Sequence, residues 1–99
     1  MEKQVAIVTG GASGIGLGIT TALVRAGYAV AMFDINEGAL EQSAQMERAD
    51  ADSLIGVRVD VTSSADIKAG VDRVTQRWKA PDILINNAGL SREDRKSVV

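Results

Sequence analysis

The sequence predicts an α/β fold: a parallel sheet with crossover helices on both faces. Three observations carry that expectation. Short Val/Ile/Leu runs alternate with helix-length segments, the runs show little polar alternation, and a glycine-rich turn joins the first run to the first helix. With 99 residues, 45% hydrophobic and 24% charged, the chain suits one compact unit.

The first strand is predicted at Gln4 to Thr9. A helix comes next, because Ile15, Ile19, Ala22, Leu23 and Ala26 fall at i, i+4, i+7, i+8 and i+11 and form one stripe, with Gly27 as its stop. Ala29 to Asp34 is the second strand. The middle helix, about Glu37 to Arg48, has only a thin stripe of Leu40, Ala44 and Glu47. It rests on topology, since parallel neighbours need a crossover and crossovers are right-handed. Leu54 to Asp60 is the third strand. The last helix repeats the helical spacing with Ile67, Val71, Val74 and Trp78, entered through Thr62, Ser63 or Ser64 as N-cap and closed before Pro81. Ile83 to Asn86 is the fourth strand.

Composition removes several classes of function. Zero Cys excludes a disulfide framework and a thiolate zinc site, and zero His removes the commonest metal ligand and general base; no metal is expected. Eleven Lys and Arg against 13 Asp and Glu leave a net charge of −2, so no basic field recruits nucleic acid. Base stacking is poorly served by three aromatics, Tyr28, Phe33 and Trp78. No apolar run approaches the ~18 residues of a membrane span, and Met1-Glu2-Lys3-Gln4 leads straight into the first strand without a secretory leader. The expectation is a cytoplasmic protein.

The most informative segment is Thr9-Gly10-Gly11-Ala12-Ser13-Gly14-Ile15-Gly16, at the junction of first strand and first helix. Glycines there permit positive φ and let the backbone approach a pyrophosphate, while the helix N-terminus offers unpaired N–H groups and about half a positive charge. The plain structural alternative is a glycine-rich connection with no ligand. No Gly-Lys-Ser/Thr ending is present, which disfavours a P-loop nucleoside triphosphatase.

Through Thr9, Gly10, Gly14 and Gly16 the sequence resembles the short-chain dehydrogenase/reductase family, whose first turn is Thr-Gly, three residues, then Gly-x-Gly. Two further matches fall in order: Asn86-Asn87-Ala88-Gly89 looks like the family's Asn-Asn-Ala-Gly motif, and Asp60-Val61 looks like its adenine contact. The resemblance covers residues 3 to about 90. It implies a Rossmann-type sheet of strand order 3-2-1-4, broken off after the fourth strand, and hydride transfer between a nicotinamide cofactor and an alcohol or carbonyl. Residues 1–90 would then be the dinucleotide-binding half, and 91–99 a charged, frayed tail.

The cofactor residues implied are Gly10, Ser13, Gly14, Ile15, Gly16, Asp34, Ile35, Asp60, Val61, Asn87, Ala88 and Gly89. Asp34 ends the second strand 20 residues after Gly14, where a carboxylate accepts both ribose hydroxyls of NAD and repels a 2′-phosphate. Neither Ser13 nor Ile35, where similar proteins often place a cation for NADP, is basic. NAD is the expected cofactor. Each residue keeps a structural alternative: helix capping for Asp34 and Asp60, bridging of the sheet for Asn86 and Asn87.

The family's catalytic Ser, Tyr and Lys lie beyond its fourth strand, the Lys four residues after the Tyr. Here the only tyrosine, Tyr28, is followed four residues later by Met32, and Ser91 falls too close to Gly89 to match. No catalytic residue is therefore assigned. The fourth strand is expected at the sheet edge, exposing Ile83, Leu84 and Ile85 and inviting self-association. Two other readings stand beside a truncated dehydrogenase: a non-catalytic dinucleotide-binding or regulatory module that associates with another chain, and an unliganded fragment.

Overall fold

The computed structural model describes residues 3–49 and 51–87. The elements run β1 (Val5–Thr9), α1 (Gly14–Arg25), β2 (Ala29–Asp34), α2 (Glu37–Gln42), α3 (Ala44–Ala49), β3 (Leu54–Arg58), α4 (Ser64–Arg77) and β4 (Ile83–Asn86). All four strands pair in parallel in the order β3-β2-β1-β4. That is the order expected of a Rossmann-type sheet. Among the described residues no helix is long and apolar enough to cross a membrane.

Strand alternation splits the core in two. Val5, Ile7, Ala29, Ala31, Phe33, Val57 and Val59 face α4, which contributes Val74 and, less deeply, Val71 and Trp78. Ala6, Val8, Val30, Met32 and Leu54 face the opposite layer, where Leu23, Ala39, Leu40 and Met46 cover them. Both faces of β1 and β2 are thus dry, which is why these strands read as continuous apolar runs.

Three helical expectations are corrected. On α1 the buried residues are Gly16 and Thr20, whereas Ile15, Ala22 and Ala26 of the expected stripe face outward and Ile19 and Leu23 are only half-buried. The helix lies so close to the turn that only small side chains fit beneath it. A Cβ on Gly16 would stand 1.8 Å from the Gly10 carbonyl oxygen. The middle helix is broken into α2 and α3 at Ser43, whose buried hydroxyl donates to the Ala39 carbonyl at 3.0 Å and faces the Ala12 carbonyl at 3.3 Å. Its inward residues are Ala39 and Ser43, with Leu40 and Met46 packing beside them, and the expected Ala44 is only half-buried. On α4 the stripe holds at Val71, Val74 and Trp78, but Ile67 is exposed and Gly70 sits against Phe33 and Val59 instead.

Strand ends shift slightly: β1 begins at Val5 and β3 ends at Arg58. β4 is less exposed than expected. Ile83 and Ile85 are half-buried against the core beneath α1, and of the three apolar residues only Leu84, 63% exposed, faces out, because alternate residues of one strand point to opposite faces.

Candidate nucleotide-binding site

The C-terminal ends of all four parallel strands meet at one edge of the sheet, and each carries a sequence-expected residue there. β1 runs into the turn at residues 10–13, β2 ends on Asp34, β3 leads to Asp60, and β4 ends at Asn86 and Asn87. The chain crosses from one face to the other between β1 and β4, the place where α/β sheets open a ligand crevice.

The turn is held from every side. The Gly10 and Gly11 N–H groups donate to the Phe33 carbonyl at 2.7 and 3.4 Å, and the Ala12 N–H donates to Asp34 Oδ2 at 3.1 Å. Its carbonyls are matched as closely. Asn87 Nδ2 donates to Gly10 O at 3.3 Å, and Thr20 Oγ1 to Gly11 O at 3.1 Å. Gly10 and Gly14 have φ of 64° and 58°, which favours glycine at both.

The start of α1, just past the turn, is open. Ser13 is the N-cap of α1 yet makes no side-chain cap hydrogen bond, unlike Asn36 on α2 and Ser63 on α4. A Cβ at Gly14 would meet nothing within 4 Å. The first-turn N–H groups at Gly14, Ile15 and Gly16 cannot be satisfied within the helix, and they stand at this end beside a glycine cradle, with Gly14 and Ile15 exposed and Gly16 buried against the turn. Ile15, Ile35 and Val61, 72, 52 and 40% exposed, surround the same edge.

Asp34 is buried and accepts twice, from Ala12 N at 3.1 Å and from Asn36 N at 3.0 Å. The cap of α2 is Asn36, through its own side chain to Ala39 N, so the capping alternative for Asp34 is not what forms. A carboxylate has about four acceptor positions, so two remain for further donors. Arg58, the register partner of Asp34 on β3, directs its guanidinium to Glu37 at 3.4 Å and Asp66 at 4.0 Å.

Asp60 likewise does not cap α4, which starts on Ser63 Oγ accepting from Asp66 N at 3.1 Å. The Asp60 carboxylate accepts from the Thr62 hydroxyl at 2.6 Å and the Thr62 N–H at 2.9 Å. These two bonds hold it below the usual carboxylate range, with the charge of Arg58 adding to them against a smaller cost of desolvation. Thr9 joins β1 to β4: its hydroxyl accepts from Asn87 N at 2.8 Å and lies 3.2 Å from Asn86 Oδ1. Bridging by both asparagines, left as an alternative by the sequence, is thus present. Ala88, Gly89 and Ser91 lie outside the described residues.

Sequence reasoning missed Thr20 and Ser43, the hydroxyls on Gly11 and Ala12. The available signal was Thr20 itself, a polar β-branched residue one turn after Gly16 in a mostly apolar helix.

A parallel sheet of order 3-2-1-4 with a glycine turn and an uncapped helix at its switch point defines a dinucleotide-binding α/β protein. Comparison with known proteins narrows the class. The short chain dehydrogenase family matches residues 4–98, and the chain belongs to it. A 2-(R)-hydroxypropyl-CoM dehydrogenase of Xanthobacter autotrophicus is 37% identical over 98% of this chain, which spans 39% of that protein. A short chain dehydrogenase/reductase from Burkholderia phymatum, solved in complex with NAD, superposes with TM-score 0.76 at 30% identity, over 84% of this chain and 30% of that one. An actinorhodin polyketide ketoreductase with NADPH gives 0.79 at 32%, over 95% and 40%. The chain thus spans 30–40% of the length of these three proteins, and it corresponds to the nicotinamide dinucleotide-binding portion of the fold.

Proposed function

We propose that this chain binds NAD in preference to NADP, as the cofactor half of a dehydrogenase acting on an alcohol or carbonyl. The observation that carries this is Asp34, whose buried carboxylate ends β2 beside the turn with two acceptor positions left for a ribose diol. A 2′-phosphate would face that carboxylate, and the register-neighbouring cation, Arg58, is already engaged by Glu37 and Asp66. The relatives alone do not decide the matter, since one is solved with NAD and another with NADPH.

The N–H groups of Gly14, Ile15 and Gly16 would hold the pyrophosphate at the positive end of α1. Asp34 would take the ribose hydroxyls, with Asp60 and Val61 at the adenine edge and Ile15 and Ile35 supplying apolar contact. Bound there, the nicotinamide supplies a hydride acceptor or donor. The family's catalytic side chains are not in this sequence, and neither is the information that selects a substrate.

Isothermal calorimetry with NAD and NADP in parallel tests the reading, alongside a thermal melt of the same sample. Expected are micromolar NAD affinity, a raised melting temperature, and NADP weaker by at least about tenfold, the equivalent of ~1.4 kcal/mol of repulsion. Equal affinities would remove Asp34 as the selector. No binding by a cooperatively melting chain would remove the site.

A further inference from the structure

At the opposite end of the strands lies a second cavity of about 300 Å³, lined by Lys3, Val5, Ala29, Arg77, Trp78 and Lys79. Its floor is apolar, since Val5 and Ala29 open β1 and β2 and are fully buried. Trp78 forms a wall, with its ring fixed by the Nε1–H bond to the Asp52 carbonyl at 3.2 Å. The Arg77 guanidinium stands 5.5 Å from the ring centroid.

The three cations differ in their partners. Lys79 is paired with the Asp82 carboxylate at 3.3 Å. Arg77 instead donates to the Ala51 carbonyl at 2.7 Å, and Lys3 to the Ser53 hydroxyl. Both are oriented by neutral oxygens, and among the described residues neither is matched by a carboxylate. The cavity thus combines two held positive charges, without a carboxylate partner among the described residues, with an aromatic wall and an apolar floor, the pairing of a greasy body with a few placed polar groups that ligand sites use. None of these residues belongs to the nucleotide site.

We propose that this cavity binds a small aromatic anion, a single ring bearing a phosphate or carboxylate, with the ring against Trp78 and the Val5–Ala29 floor and the charge between Lys3 and Arg77. Trp78 is the only tryptophan, so the emission comes from a side chain that lines this cavity. The test is titration of the chain with phenyl phosphate, using inorganic phosphate and phenol as the two halves of the probe, followed through Trp78 fluorescence. Expected is a saturable change with phenyl phosphate, at least several-fold tighter than with either half, and weakened by added salt.

Lys3→Gln, at an exposed position, is expected to weaken binding about threefold while leaving the melt unchanged. Arg77→Gln is expected to do the same, read as a shift in the midpoint of the titration. A flat or non-saturating response, a response matched by inorganic phosphate alone, or an affinity untouched in Lys3→Gln would each overturn the proposal.

Discussion

At the scale of single residues, two glycines of α1 carry opposite instructions. Gly16 has the Gly10 carbonyl where its Cβ would go and Asn87 Nδ2 at 2.7 Å from the same point, while Gly18 has nothing within 4 Å. Gly16→Ala is therefore expected to destabilise by about 1–3 kcal/mol through overpacking against backbone, and to abolish nucleotide binding by displacing the start of α1. Gly18→Ala is expected to stabilise by roughly 0.5–1 kcal/mol, because alanine loses less backbone freedom in a helix. Paired urea or thermal melts check both signs. Asp34 makes a similar point about roles. Its two oxygens each take a backbone N–H, and an asparagine, with one oxygen and one NH2, can satisfy only one. Asp34→Asn and Asp34→Ala are thus both expected to cost about 1–3 kcal/mol in a denaturation experiment, as well as to narrow the preference for NAD. The ratio of NAD to NADP affinity separates selection from structural loss, since a turn merely loosened weakens both cofactors alike. That Asp34 stands at the end of β2 was legible from the sequence. That it also holds Ala12 was not, because nothing in linear spacing says which backbone N–H a folded carboxylate will meet.

At the scale of elements, the strands were legible and the helix faces were not. Buried parallel strands are marked by apolarity alone, and Ala29–Asp34 and Ile83–Asn86 emerge with their bounds intact. A helix face chosen by counting large apolar residues fails on α1, where close approach demands Gly16 and Thr20 and leaves Ile15 beside the ligand crevice. It fails on the middle helix for a related reason, since Ser43 is buried for its hydrogen bonds rather than its hydrophobicity. Element joints also depend on charge. Asp82 Oδ2 accepts from Val5 N at 2.9 Å, fastening the start of β4 to β1, and this bond, with Lys79 nearby, holds the carboxyl below its ordinary value of 3.8. A carboxyl lowered in the folded state adds stability that is complete above its unfolded value and is lost as pH falls through the folded one. Below about pH 4 the β1–β4 joint is therefore expected to loosen. Asp82→Asn keeps an acceptor for Val5 but not the charge, so its melting temperature should fall less steeply than the parent's between about pH 5 and about pH 2. Parallel slopes would show that Asp82 is not part of the acid response.

At the scale of the whole molecule, β4 pairs among the described residues only with β1, and beside it runs an apolar groove of about 370 Å³ whose lining includes Ile7, Phe33, Val61, Ile67, Val71 and Leu84. An unpaired strand edge next to such a surface favours association. The chain by itself is expected to show a weight-average mass that rises with concentration in sedimentation equilibrium, and Leu84→Lys, at a 63% exposed position, should bring it toward the monomer. A monomer at every concentration would count against that. The same strand also governs timing. Asn87 and Thr9, which lock the glycine turn to β4, stand 78 positions apart, so the turn can be finished only after nearly the whole described chain has been synthesised and brought back to its beginning. Closing a loop of that length costs entropy before the contact rewards it, so such pairing is expected to be slow. The residues of β1, α1 and β2 emerge from the ribosome long before Asn87, so the nucleotide cradle is expected to be completed only when β4 docks, and cofactor affinity is expected to be a late marker of a finished sheet.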